Sequence, residues 1–321
     1  MRVMHEGPHP VTPDDITAAA RKSFDQAPDE RLRFLLQRLV EHLHAYARDV
    51  RLTREEWAAA IAFLTEAGHT CTDTRQELIL LSDTLGLSML VDAVEHAAPA
   101  GATESTVLGP FHVEGSPLRS MGASIVEQEG SGEPAFLTGT VRDLDGQPVG
   151  GALVDIWQNA ANRMYAVQDP AQPPENLRGR FLTGPDGAFA FWTVRPVDYP
   201  IPDDGPVGRM LATTGRHPWR PAHVHLMVSA PGFRTVATHF FDRTSQRLDG
   251  DAVFGVKPSL VVDFEPHGPD EPGAPDGWDA TWYTLHQDVV LAPAPAAGDP
   301  DQPAGAASTE ERGSQPGRWD S

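Results

Sequence analysis

The sequence predicts an α+β protein, with an N-terminal helical part followed by an antiparallel β-sandwich. Three observations predict it. Apolar residues recur at helical spacing up to about residue 98, and from about residue 105 the pattern changes to alternation. The 29 glycines and 30 prolines of the 321-residue chain crowd its second half, as turns between short strands do. The expected boundaries are a helical domain over 1–104, a sandwich domain over 105–292 and a tail over 293–321. That tail is rich in Pro, Ala, Gly, Ser and Asp, has almost no large apolar groups, and is expected to be disordered.

Within the helical part, Asp29 precedes an apolar face of Leu32, Leu35, Leu36, Leu39, Val40 and Leu43, which Tyr46 extends as a core residue. Thr53 and Glu56 form a T-x-x-E capping box ahead of Trp57, Ile61 and Leu64, with Gly68 as the expected stop. Asp73 and Gln76 repeat that signal before Leu78, Leu80, Leu81 and Leu85, and a further segment follows Gly86 with Leu87, Leu90 and Val91. These helices are too few and short for a large core, so they are expected to pack on the sandwich or on a second copy. Strands are expected at Phe136–Val141, Ala152–Trp157, Ala188–Val194, His223–Val228, Thr235–Phe241, Leu260–Phe264 and Thr281–Leu291. Asp143–Gly150 and Asp186–Gly187 supply turns, and Tyr283 falls on the core side of its strand.

Composition excludes several classes. Asp and Glu number 45 against 25 Lys and Arg, a net charge of −20, which repels phosphate backbones and makes nucleic acid an unsuitable partner. No apolar run reaches the length of a membrane span. The first 30 residues carry Glu6, Asp14, Asp15 and Asp25 without an apolar stretch, so no secretory signal is expected. The single cysteine, Cys71, excludes a disulfide framework or a cysteine-ligated cluster and points to a reducing cytoplasm.

The residues able to carry chemistry begin with Arg220-Pro221-Ala222-His223-Val224-His225. In a strand, positions two apart share a face, so His223 and His225 present two imidazoles to one metal or simply line a half-exposed face. Arg220 falls on the other face by parity, unless Pro221 breaks the strand. Two of the four tyrosines, Tyr165 and Tyr199, lie in polar connections, where function concentrates on a sandwich, but a packing tyrosine would look the same.

D-I-W-Q-x-x-x-x-x-M-Y at 155–165, V-D-Y-P-I-P at 197–202 and R-P-A-H-V-H at 220–225 resemble the intradiol ring-cleavage dioxygenases, over about residues 14–291 and including T-E-S-T-V-L-G-P-F at 103–111. The resemblance implies non-haem Fe(III) held by Tyr165, Tyr199, His223 and His225. It implies O2 and a small aromatic diol or triol as reactants. It also implies that Tyr199 is displaced by the substrate and serves as a base, and that Arg220 stabilises negative charge on the ring. Two anionic phenolates favour the ferric state, and a nearby cation would lower their ordinary pKa near 10. His239 stands where many catechol enzymes have glutamine, and is read as a third catalytic residue that donates a hydrogen bond.

T-H-F-F at 238–241 and D-A-V-F-G-V-K at 251–257 resemble the branch that converts hydroxyquinol (benzene-1,2,4-triol) to maleylacetate. In that branch the substrate wall corresponds to Leu80, Asp83, Val107, Gly109, Pro110, Phe111, Ile201, Pro202 and Val253, with Arg220 beside it. Asp83 shares a helix face with Leu80 and is read as acceptor for the third hydroxyl. Two rival readings remain. One is a catechol or chlorocatechol enzyme giving cis,cis-muconates. The other is a metal-free transthyretin-like binding module, because the strand-turn-strand run at 139–154 suits both folds. The resemblance further implies a homodimer through the N-terminal helices, with a phospholipid bound at the interface.

Overall fold

A computed structural model describes residues 12–72, 74–95 and 99–294, so all but the first two residues of the expected tail lie outside it, as does Asp73. The described chain forms two compact units, one ending at Ala62 and the other starting at Phe63.

The first unit contains α1 (Pro13–Lys22), α2 (Glu30–Asp49) and the start of α3 (Arg54–Thr70). Thr12 and Asp15 close a capping box on α1, and the Asp29 side chain accepts from Leu32 N to start α2. The helices are tied by Arg21 to Glu41 at 2.7 Å. Thr17 and His44 add a hydrogen bond at 2.9 Å. The apolar stripe of α2 is uncovered: Phe34, Leu35, Leu39 and Leu43 are about half exposed. Tyr46, expected in the core, is 58% exposed. Within its unit α2 has only α1 to pack against, and one neighbour cannot cover a stripe of this width.

The Thr53–Glu56 box forms as expected, with Thr53 N donating to Glu56 at 2.8 Å. Gly68 does not stop α3, which runs on to Thr70. A glycine does end the next helix: Gly86, with φ +76°, takes the chain out of α4 (Glu77–Thr84) and into α5 (Leu87–Glu95). In the second unit α4 packs through Leu80 onto α6 (Pro206–Thr213), in an apolar cluster with Ile201, Val207, Leu211 and Val253.

The strands are β1 (Pro134–Arg142), β2 (Leu153–Trp157), β3 (Arg178–Leu182), β4 (Ala188–Val194), β5 (Tyr199–Pro200), β6 (Trp219–Arg220), β7 (His223–Ser229), β8 (Val236–Asp242), β9 (Val261–Val262), β10 (Glu265–His267), β11 (Trp282–His286) and β12 (Val289–Val290). One sheet runs β10-β11-β1-β12 with β4 also on β1, and the other runs β3-β2-β7-β8-β9. Between them pack Leu137 and Val141 from the first sheet and Val154, Phe181, Val224, Leu226 and Phe240 from the second. The expected sandwich is therefore present, but its sheets are mixed. β1 pairs antiparallel with β4 and parallel with β11 and β12, and β9 joins β8 in parallel. Strands β11 and β12 reach β1 after the chain has built the whole opposite sheet, and such a long crossover permits the parallel direction that a hairpin forbids.

Helix α6 and strands β3, β5, β6 and β10 escaped the sequence reading. Strand β3 carries two arginines, one on either side of Gly179, so its alternation is masked. Helix α6 opens on Gly205-Pro206, a pair that equally suits a turn, the β5–β6 pair is only two residues long, and β10 lies just past the expected Leu260–Phe264 strand. The run at 281–291 breaks into β11 and β12, and Pro293 and Ala294 remain tied to the Gly232–Phe233 turn.

Candidate metal centre

Strand β7 sets the centre by its parity. Val224, Leu226 and Val228 enter the sandwich core, so His223 and His225 point away from it and are buried by loops. Their neighbours across the sheet complete a ring-lined floor. Trp157 of β2 pairs with His225 and stacks on it, with centroids 4.7 Å apart and 14° between planes. His239 of β8 pairs with the same residue from the other side.

Two connections cover this floor and carry the tyrosines. Gln158 and Asn159 lie at the end of the strand leading to Tyr165, and donate to the Val194 and Val197 carbonyls on the approach to Tyr199. Asp198 accepts from Ala222 N at 2.8 Å, which fixes the Tyr199 loop to the start of β7. Short β5 then pairs with β6 so that Tyr199 faces Arg220. Arg220 thus belongs to a separate ribbon, and the strand parity that set it apart from the histidines does not apply.

The polar atoms converge. His223 Nδ1 lies 2.7 Å from the Pro221 carbonyl, which can only accept, so the ring proton is on Nδ1 and Nε2 carries a lone pair. That Nε2 is 3.1 Å from His225 Nε2, which is in turn 3.1 Å from the Tyr165 hydroxyl. Tyr199 stands edge-on to Tyr165, with ring centroids 5.4 Å apart, and Arg220 Nη1 donates to its hydroxyl at 3.3 Å. Ring nitrogens of His223, His225 and His239 lie within 4.8 Å of one another.

Burial is nearly complete for all of these side chains, and it determines their charge. It lowers the His223 pKa to about 3, with Arg220 adding to the effect, and it holds His225 and His239 well below the usual histidine range. All three imidazoles are therefore neutral at neutral pH, the state in which imidazole binds metal. Burial likewise pushes the Tyr165 phenol well above its ordinary value, with the neighbouring Tyr199 second.

Among the described residues, His225 Nδ1 makes no hydrogen bond and the His239 nitrogens make none of good geometry, the Val107 backbone interacting only weakly with His239. Buried polar atoms without partners are costly, and a lone pair aimed at another imidazole nitrogen is a poor arrangement without a cation between them. Neutral nitrogens and phenol oxygens, with a guanidinium set behind one phenol, fit a hard trivalent ion such as Fe(III).

The expected substrate residues divide into four groups. Leu80, Pro110, Phe111 and Pro202 line an open cavity of about 360 Å³ with Arg75 at its edge. Gly109, with φ +76°, leaves room beside His225, because a Cβ there would sit 3.4 Å from the ring carbon Cε1. Val107, Ile201 and Val253 are buried and do not line the opening. Asp83 is 4% exposed, and burial raises its pKa, opposed by Ser88 and Arg220. Sequence reasoning missed Asp251, which grips Arg220, and Asp198 and Trp157 as supports of the candidate ligands. Their signals were present, as a carboxylate opening the 251–257 run and as the first motif's tryptophan, but each partner is distant in sequence.

Comparison with known proteins agrees with this geometry. Residues 107–280 match a family model described as "Dioxygenase", and 29–103 match one described as "Catechol dioxygenase N terminus". The chain belongs to the intradiol ring-cleavage dioxygenase family. The transthyretin-like alternative leaves the match at 29–103 without explanation. Among intradiol dioxygenases, the chain is 49% identical over 282 residues to a hydroxyquinol 1,2-dioxygenase of Nocardioides simplex, covering 87% of this chain and 95% of the relative. A solved hydroxyquinol 1,2-dioxygenase from Pseudomonas putida superposes with a TM-score of 0.80 at 47% identity, over 88% of this chain and 99% of that one. For an Acinetobacter radioresistens catechol 1,2-dioxygenase the TM-score is 0.81 but the identity only 28%, over 92% and 97% of the two chains. The intradiol fold is thus common to both substrate classes, while the side chains side with the hydroxyquinol enzymes.

Proposed function

We propose that this chain opens the ring of hydroxyquinol with O2, between the two vicinal hydroxyl-bearing carbons, to give maleylacetate at one Fe(III) per chain. Tyr165, Tyr199, His223 and His225 would hold the ion. The observation that carries the reading is the buried convergence of two neutral imidazole nitrogens and two phenol oxygens, with Arg220 set behind Tyr199. Both atoms of O2 enter the product, so the reaction needs no reductant.

A ferric ion held there would supply a Lewis acid that favours deprotonation of the vicinal hydroxyls, and the deprotonated ring would be electron-rich toward O2. The protein does the rest. The Tyr199 oxygen takes a proton from a substrate hydroxyl, and Arg220 Nη1 sits beside it as donor to developing negative charge. His223 keeps its proton on Nδ1, held by Pro221, so that Nε2 stays free to bind. Trp157 and Phe111 stack on His225 and Tyr165 and keep bulk water from the donor side. His239, against both histidines, is placed to direct a nitrogen at bound substrate.

The test is oxygen uptake by iron-loaded protein, with hydroxyquinol and catechol side by side and an enzyme-free control for autoxidation. Rapid uptake on hydroxyquinol with little on catechol is expected. Equal or faster uptake on catechol would keep ring cleavage and reject the substrate.

Asp83 is the proposed acceptor for the third hydroxyl. It is an acid buried beside Leu80, with Ser88 and Arg220 its favourable neighbours. A hydrogen bond to a charged acceptor contributes about 1.5–3 kcal/mol, so Asp83→Ala should lower the hydroxyquinol-to-catechol ratio of kcat/KM by roughly 10–100-fold. An unchanged ratio would remove Asp83 from substrate selection.

The same reading places a dimerisation role in the helical domain over 1–104, catalysis in 105–292 and the protein in the cytoplasm. The half-exposed stripe of α2 supports a homodimer with bound phospholipid at the interface, since apolar patches of this kind mark contact surfaces. The single cysteine supports the reducing compartment. No described helix is long and apolar enough to cross a membrane.

A further inference from the structure

We propose that Asp251 is the positioning residue for Arg220, holding its guanidinium side-on so that only Nη1 is presented to Tyr199 and the substrate. This rests on the reading that Arg220 acts on the reacting ring, and names what makes it able to do so.

The geometry is a two-point grip. Arg220 Nε lies 3.0 Å from Asp251 Oδ1, and Nη2 lies 3.2 Å from Oδ2. A guanidinium held on that edge has one nitrogen left, and Nη1 meets the Tyr199 hydroxyl at 3.3 Å. The carboxylate is itself fixed. Gly255 N donates to Oδ2 at 2.9 Å and Val253 N to Oδ1 at 3.3 Å, while the Asp251 carbonyl accepts from Phe254 N. The turn at 251–255 therefore wraps its own first side chain.

The grip also leaves no slack. A Cβ on Gly255 would lie 3.0 Å from Arg220 Nη2 and 3.1 Å from Asp251 Oδ2, so a side chain there would press on both members of the pair. Phe254 adopts φ +62°, in the left-handed region, to complete that turn. Both side chains of the pair are almost wholly buried. Asp83 is a further acid whose charge interacts with Arg220, and a released guanidinium would turn toward it. Asp251 thus keeps Arg220 aimed at Tyr199 rather than at the substrate's selecting group.

The experiment compares iron-loaded wild type, Asp251→Asn, Arg220→Gln and the double variant, with iron content and visible absorption followed in each. Misaim by about an ångström costs on the order of a hundredfold. Asp251→Asn is therefore expected to lower kcat by roughly 10–100-fold, with KM and iron content near wild type. In the Arg220→Gln background the same change should cost less than about threefold, because the group it aims is gone. Equal costs in the two backgrounds would overturn the proposal while leaving Arg220 in its role. A silent Arg220→Gln would overturn both that role and the proposal. If Asp251→Asn does not fold, Asp251→Glu keeps the charge on a longer stem. It should fold and load iron yet show the same drop in kcat, and wild-type kcat in Asp251→Glu would refute the positioning role.

Discussion

Replacing His225 by alanine is expected to empty the metal centre. The iron content should fall from one per chain to below a tenth, the visible absorption of an iron–phenolate site should vanish, and turnover should drop by at least roughly a thousandfold. The reason is its place in the array. His225 Nε2 stands between His223 Nε2 and the Tyr165 hydroxyl, 3.1 Å from each, so its loss separates the remaining donors and leaves Trp157 without its stacking partner. His239→Ala is the informative companion, because its nitrogens fall in the same cluster. If only His223 and His225 bind iron with the two tyrosines, His239→Ala retains iron and loses rate. Loss of iron in His239→Ala, with iron kept in Tyr199→Phe, would replace the proposed ligand set by three histidines. Elemental analysis of the purified variants decides between them.

Replacing Gly139 by alanine is expected to destabilise the sandwich by about 3 kcal/mol, at the upper end of overpacking costs. Gly139 is buried in the middle of β1, and Gln287, in the link from β11 to β12, runs beside it. A Cβ there would overlap the Gln287 carbonyl oxygen and lie 2.5 Å from the Phe189 ring. The oxygen is main chain and Phe189 is locked in the core, so neither can yield without shifting β11 or β4. Those strands flank β1 on opposite sides. Denaturant unfolding of the iron-loaded variant beside wild type measures the loss, and a midpoint within error of wild type would show that the link at Gln287 relaxes freely.

Gly139 also illustrates what a sequence conceals. In the run Phe136–Val141 it reads as one weak position in an ordinary strand, and nothing local announces that another segment runs beside it. Gly68 and Gly86 make the complementary case. Both follow apolar helical runs, yet Gly68 stays helical and only Gly86 turns left-handed, a difference that the local pattern does not carry. Tyr46 was assigned correctly to the apolar face of α2, but the face has no cover within its unit. Periodicity reports which side chains share a side and not what that side meets.

The candidate centre was legible because its elements are local. The two-residue spacing of His223 and His225 fixes their common direction in any strand, and the tyrosines stand out as polar-loop residues within recognisable motifs. The Thr53–Glu56 and Asp29 caps were readable for the same reason, since a cap is completed within one turn of helix. The grip of Asp251 on Arg220 was not legible, nor was the tie from Asp198 to Ala222 or the stack of Trp157 on His225. Local periodicity determines where a side chain points, and that much this sequence specified by itself. Which distant carboxylate meets a buried guanidinium, and which water-free space makes their pairing obligatory, was decided only when the two sheets and their covering loops closed over β7, because desolvation and charge pairing depend on neighbours that sequence distance does not reveal.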